Sequence, residues 1–254
     1  MADRLQPALA RRDGVALVPY LMAGFPSASG SAAMGRGFAQ AGAAAIEVGV
    51  PFSDPLADGP VIQRAGHQAL QRGTTLAGSI AIAGQIAETG TPTVLMTYLN
   101  PVLSYGVERF AGDAAAAGVS GVIVPDLPVD EAEPFLTPFR EARLDTVFLA
   151  APTSTDARIE RIGRLSRGFV YCVAVTGVTG ARHALDGDLF SLLGRVRAQT
   201  SLPVAVGFGI SEPAHIARLR GQVEAAVVGS ALLRLALEDR DPLPLLRELV
   251  EAGA

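Results

Sequence analysis

The chain has 254 residues, of which 49% are hydrophobic and 18% charged, and a formal net charge of −4. That composition excludes a disordered chain and offers no basic run for nucleic acid. All 21 basic residues are arginine, which excludes chemistry that needs a Schiff-base, pyridoxal-phosphate or P-loop lysine.

Near the N-terminus, Arg11, Arg12 and Asp13 precede an apolar run over residues 15–25 in the manner of a secretory leader. Pro19 interrupts that run, and a buried strand over residues 16–22 accounts for it equally. No apolar run approaches the ~18 residues of a membrane span, so no membrane association and a cytoplasmic location are expected. Further continuous apolar runs predict strands at 44–48, 93–97, 121–124, 146–150, 169–173, 203–206 and 225–228. Helical stretches are predicted between them at 29–41, 76–88, 107–117, 131–142, 156–165, 188–198 and 213–219, with others at 231–237 and 242–252. Gly42, Gly118 and Gly221 stand where helices end and strands follow. Eight alternating units in about 250 residues predict an α/β chain forming a single (β/α)8 TIM barrel over residues 1–254, with additional short helices. An open doubly wound sheet is the rival, but Ala-Gly-Phe-Pro-Ser follows Met22 where its GxGxxG would stand.

Barrel chemistry gathers at the C-terminal ends of the strands. There the second strand carries Glu47 in an apolar run, and a proline-stiffened loop with Pro51, Pro55 and Pro60 follows, holding Asp54 and Asp58. Alternation puts Ile46 and Val48 on the side opposite Glu47. If those two face the helices, Glu47 points into the barrel mouth, where an apolar setting would raise its pKa and let it give and take a proton. A structural pairing with an arginine brought close by the fold is the alternative, and Asp54 beside Pro55 is read equally as a turn cap. Gly180, Gly209, Gly229 and Ser230 follow later strands, and Gly229-Ser230 would open the short helix at 231–237. Free amides at such a helix start suit an anion, phosphate above all, although each glycine by itself is explained as well by turning the chain. Tyr20, Tyr98, Tyr171 and Phe208 are placed to form an aromatic box, or to serve as core. The single cysteine, Cys172, reads as a core residue, and the three histidines (His67, His183, His215) lack metal-ligand spacing, so no metal site is expected.

The segment from Glu47 to Gln63, Glu-Val-Gly-Val-Pro-Phe-Ser-Asp-Pro-Leu-Ala-Asp-Gly-Pro-Val-Ile-Gln, resembles the signature of the tryptophan synthase alpha chains. Val124-Pro-Asp-Leu-Pro128, Thr176-Gly-Val-Thr-Gly-Ala-Arg182, Gly207-Phe-Gly-Ile-Ser211 and Gly229-Ser230 follow in the same order. The resemblance implies a cofactor-free lyase that cleaves indole-3-glycerol phosphate to indole and glyceraldehyde 3-phosphate in tryptophan biosynthesis. It implies Glu47 as acid–base and Asp58 as the carboxylate supporting the indole N–H. Thr179 falls in a closing loop, and Gly180, Gly209, Gly229 and Ser230 form the phosphate cradle. Tyr171 and Phe208 line the pocket, as does Tyr20 where the family has phenylalanine, while Met96 and Leu99 fall in a variable segment. A pyridoxal-phosphate beta chain is implied as partner in an alpha2-beta2 heterotetramer, meeting the loop after the second strand and the apolar stretch 100–106. Three rivals stay open: a lyase working without the beta chain, a phosphate-sensing subunit without activity, and another phosphosugar barrel enzyme such as an isomerase.

Overall fold

Strands apolar on both faces need helices outside them and a filled interior. The computed structural model, which describes residues 4–10, 14–173, 182–207 and 209–254 (182–187 as backbone only), supplies both. Among the described residues nine strands run in parallel: β1 (Ala16–Met22), β2 (Ile46–Gly49), β3 (Thr93–Met96), β4 (Gly121–Ile123), β5 (Asp145–Val147), β6 (Leu149–Ala150), β7 (Val170–Val173), β8 (Val204–Gly207) and β9 (Ala225–Val228). Their order is β5-β4-β3-β2-β1-β9-β8-β7-β6. The two ends of that order, β5 and β6, are separated in the chain only by Phe148. The ring therefore closes through residues 145–150, and the expected strand at 146–150 is a split one. Phe148 still joins the ladder on one side, its carbonyl accepting from Tyr171 N–H at 3.1 Å.

Strand alternation sorts the core into two layers. Ala16, Val18, Ala45, Val94, Ile123, Val147, Phe169 and Ala225 fill the barrel with Leu5 and Leu9 of α1 (Leu5–Leu9). Leu17, Leu21, Ile46, Val48, Leu95 and Val122 pack outward with the surrounding helices. Leu5 lies against Gly121 and Gly168, where any side chain would strike it, so α1 caps the end of the barrel away from the strand C-termini.

The outer helices are α2 (Ala28–Gln40), α3 (Pro60–Gln71), α4 (Leu76–Ala87), α5 (Leu99–Tyr105), α6 (Val107–Ala116), α7 (Glu133–Glu141), α8 (Asp156–Leu165), α9 (Arg182–Arg197), α10 (Pro213–Leu219), α11 (Ser230–Leu237) and α12 (Leu243–Gly253). Ser27, Thr75 and Thr155 cap α2, α4 and α8, each accepting from the N–H three residues on. α1, α3 and α5 were not expected from the sequence. α3 buries only Ala65, Gly66 and Ala69, too small a stripe to mark a helix, and it starts on Pro60. α5 holds Asn100-Pro101 in its first turn, where a missing N–H costs nothing. Among the described residues, no helix is long and apolar enough to cross a membrane.

Candidate active site

Glu47 pairs in register with Tyr20 on β1 and Val94 on β3. Its neighbours Ile46 and Val48 belong to the outer layer, so the carboxyl points into the barrel. It is 2% exposed, and its Oε2 has no hydrogen-bond partner. Among the described residues no guanidinium pairs with it. A buried carboxylate without a partner cannot stay charged cheaply. Burial first, and the charge of Asp58 second, push the Glu47 pKa up to about 8.

The acidic loop between β2 and α3 brings Asp58 to the same cavity. Asp58 N–H donates to Pro55 carbonyl at 3.1 Å, and Gln63 Nε2 donates to the Asp58 carbonyl at 2.9 Å. The Tyr98 hydroxyl accepts from Ala57 N–H at 3.0 Å, and its ring stacks on Phe52 with centroids 5.1 Å apart. Burial pushes the Asp58 pKa up to about 6, while the neighbouring Tyr98 hydroxyl works in the opposite direction by favouring the carboxylate. Asp54 turns outward instead, accepting from Ser53 Oγ at 2.8 Å, so only one of the two loop acids faces the cavity. Tyr98→Phe leaves Ala57 N–H without its acceptor. It should cost about 1 kcal/mol in urea denaturation and raise the Asp58 titration midpoint, read by carbon NMR. An unchanged midpoint would show that the hydroxyl does not act on Asp58.

The cavity has a volume of about 370 Å³ and runs from Glu47 and Asp58 to Gly209, Ser211, Gly229 and Ser230. α11 begins at Ser230 with Gly229 as its N-cap, so the helix presents its free amides to that end. A side chain at Gly229 would press on Tyr20 Cβ at 3.3 Å. Tyr20 and Tyr171 line the cavity walls, and each lies across a glycine of the neighbouring strand, Tyr20 over Gly49 and Tyr171 over Gly207. Burial, then the nearby carboxylates, hold both phenols well above their ordinary pKa, so they stay neutral. Gly207→Ala would place a methyl on the Tyr171 hydroxyl. The ring must move, at a cost of about 1–3 kcal/mol for overpacking, measurable as a lower thermal midpoint with the circular-dichroism spectrum retained.

The structure thus brings together Glu47, Asp58, Tyr20, Tyr171, Gly209, Gly229 and Ser230. Thr179, Gly180 and Phe208 lie outside the described residues. Tyr98 lines a separate, more open hollow with Phe52, Leu56, Leu99 and Leu103 instead of the aromatic box. Ser211, named from the sequence only as the end of the Gly207–Ser211 motif, also lines the main cavity, as does Arg234, which was not singled out. The signal for Arg234 was its spacing of one helical turn from Ser230. Cys172 is free and buried in the outer layer, and burial pushes its thiol up to about 12, as suits a core residue. Among the described residues no group of three His, Cys, Asp or Glu could hold a metal ion.

Comparison with known proteins identifies this architecture. The family model described as tryptophan synthase alpha chain matches residues 7–244. The tryptophan synthase alpha chain of Solibacter usitatus (strain Ellin6076) is 52% identical over 243 residues, covering 95% of this chain and 91% of that one. That of Chloroflexus aurantiacus is 46% identical, covering 94% and 93%. A structure of Mycobacterium tuberculosis tryptophan synthase superposes with a TM-score of 0.90 at 42% identity, covering 100% of this chain and 99% of that one. The tryptophan synthase alpha subunit of Legionella pneumophila gives 0.88 at 31% identity, covering 99% and 98%. By family match, identity and fold together, this chain belongs to the tryptophan synthase alpha chain family.

Proposed function

We propose that this cavity cleaves indole-3-glycerol phosphate by a retro-aldol reaction, giving indole and glyceraldehyde 3-phosphate. The observation that carries the mechanism is a single buried, unpaired carboxyl, Glu47, whose pKa of about 8 leaves it protonated at neutral pH. It gives that proton to indole C3, which makes the ring a cationic electron sink. The resulting carboxylate then takes the proton of the glycerol hydroxyl next to the ring. As that C–O bond becomes a carbonyl, the carbon–carbon bond to C3 breaks and its electron pair restores the indole. Glu47 ends as it began, protonated. Asp58 is the anion beside the ring N–H, where positive charge develops. Each such proton transfer is worth ~10²–10⁴-fold in rate. The Gly209, Gly229 and Ser230 amides hold the phosphate away from the breaking bond and so orient the substrate. In this reading Tyr20 and Tyr171 flank the indole. Thr179, Gly180 and Phe208 take the loop, cradle and pocket roles the family resemblance gives them.

The partner in this reading is a tryptophan synthase beta chain, in an alpha2-beta2 assembly. Its support is an exposed apolar patch beside the acidic loop, where Leu56 is 94% and Leu103 51% exposed. Both line the outer hollow with Phe52 and Tyr98, next to the loop that carries Asp58. A cytoplasmic location belongs to the same reading, since the lone thiol is buried and free. The test is indole release from indole-3-glycerol phosphate by the purified chain, alone and with a beta chain. Release that rises with the beta chain supports the whole reading. High release unaffected by it favours the lyase without the partner, and substrate binding without product favours the sensor.

A further inference from the structure

Arg234 is the one basic side chain among the described residues lining the cavity. It stands four positions after Ser230 on α11, so the two share a helix face. Side chains on a helix lean toward its N-terminus, which here means toward the Gly229–Ser230 amides. Arg158, Arg195, Arg197 and Arg240 all engage carboxylates. Arg234 is exposed and, among the described residues, makes no hydrogen bond or ion pair. Glu238, one turn further along α11, is within 3.2 Å of Arg240 instead. Arg234 also lines a second hollow of about 350 Å³ between α3 and α11, with Arg64 on the facing wall and Glu238, the acid paired with Arg240, at its edge. Arg64 is likewise exposed and without a partner among the described residues.

We propose that Arg234 is a specificity residue for the doubly charged phosphate, and that the Arg64–Arg234 hollow is the path by which phosphorylated ligands reach and leave the cradle. This rests on the reading of the cavity as a phosphate-binding lyase site. Amides offer dipoles without net charge, whereas a guanidinium adds a full positive charge and a forked donor, and so adds to the preference for the doubly charged anion. In a chain of net charge −4, with two carboxyls in the same cavity, that charge is what offsets the second negative charge of the ligand. Because Arg234 is exposed, its effect is screened by salt, and steering along the hollow appears mainly in the association rate.

The experiment compares wild type with Arg234→Gln, Arg234→Lys and Arg64→Gln, using inorganic phosphate as the direct probe and indole-3-glycerol phosphate as substrate. Arg234→Gln should weaken phosphate binding and raise KM by about tenfold, with kcat falling far less. Arg234→Lys should recover part of the loss. Arg64→Gln should lower kcat/KM at low ionic strength and match wild type at high salt. A merely structural arginine would lower the melting temperature without this split between KM and kcat or this dependence on salt. Phosphate affinity in Arg234→Gln within twofold of wild type would overturn the proposal. The two readings fail separately. A wild-type chain that binds phosphate but releases no indole ends the lyase reading, and the phosphate titration still decides the role of Arg234.

Discussion

Glu47→Gln should lower indole release by ~10²–10⁴-fold while binding substrate with affinity close to wild type. The amide matches the carboxyl in size, so the cavity keeps its shape. It is also uncharged, as the native side chain is at pH 7 with its pKa pushed up to about 8, so the electrostatics of the resting site change little. What disappears is the transferable proton, and among the described residues no other group lining the cavity replaces it. Tyr20 and Tyr171 are held well above the ordinary phenol range and resist giving up a proton. Asp58, at about 6, is mostly ionised at pH 7 and cannot serve as the acid there. The loss should therefore fall on kcat, with KM nearly constant, the pattern of an interaction made only in the transition state. Native kcat should in turn fall as the pH rises through about 8, where Glu47 loses the proton it must donate. Turnover of Glu47→Gln near the native value would sink the mechanism.

The inward aim of Glu47 was legible from two residues, Ile46 and Val48, because strand alternation is rigid and both join the outer layer. That no guanidinium among the described residues pairs with it was not legible, since sequence distance says nothing about which arginines the fold brings near. The closed ring was legible from strand count and continuous apolarity. The break at Phe148 was not, because a lapse in one ladder leaves the burial pattern unchanged. The acid loop shows the same limit at finer scale. Asp54 stands between Ser53 and Pro55 and Asp58 between Ala57 and Gly59, both in turn-forming sequence, and only the fold tells that one accepts from Ser53 while the other reaches the cavity. Tyr98 was expected in the aromatic box, yet the chain turns into α5 directly after it. Its ring lies on Phe52 and its hydroxyl pins Ala57, placing it outside the main cavity. Arg234 was overlooked because arginine on an exposed helix face is ordinary. It becomes notable only once Ser230, one turn earlier, is seen to open into the cavity.

Raising the pH from about 4.5 to about 8 should weaken the fold, and Glu47 should carry much of the effect. In the unfolded chain this carboxyl ionises near its ordinary value of 4.5, and in the fold only near 8. Between those values the folded state holds a proton that the unfolded state has released. Stability therefore falls as pH rises through that window and levels off above it. The gap corresponds to at most about 5 kcal/mol, a large part of the stability of an ordinary domain. Asp58 acts in the same direction at lower pH, between 3.8 and about 6, with a smaller effect because it is only partly buried. Glu47→Gln removes the stronger of these two pH dependences, since the amide never ionises. Urea denaturation at pH 6 and pH 9 should thus show the native chain losing stability that the variant keeps. At pH 9 the catalytically crippled protein should be the more stable of the two. Such an inversion is the mark of a charge held in an apolar cavity for chemistry at the expense of the fold. Equal losses in both proteins would mean that Glu47 ionises as easily inside the barrel as in water, and its part as a neutral proton donor would fall with that result.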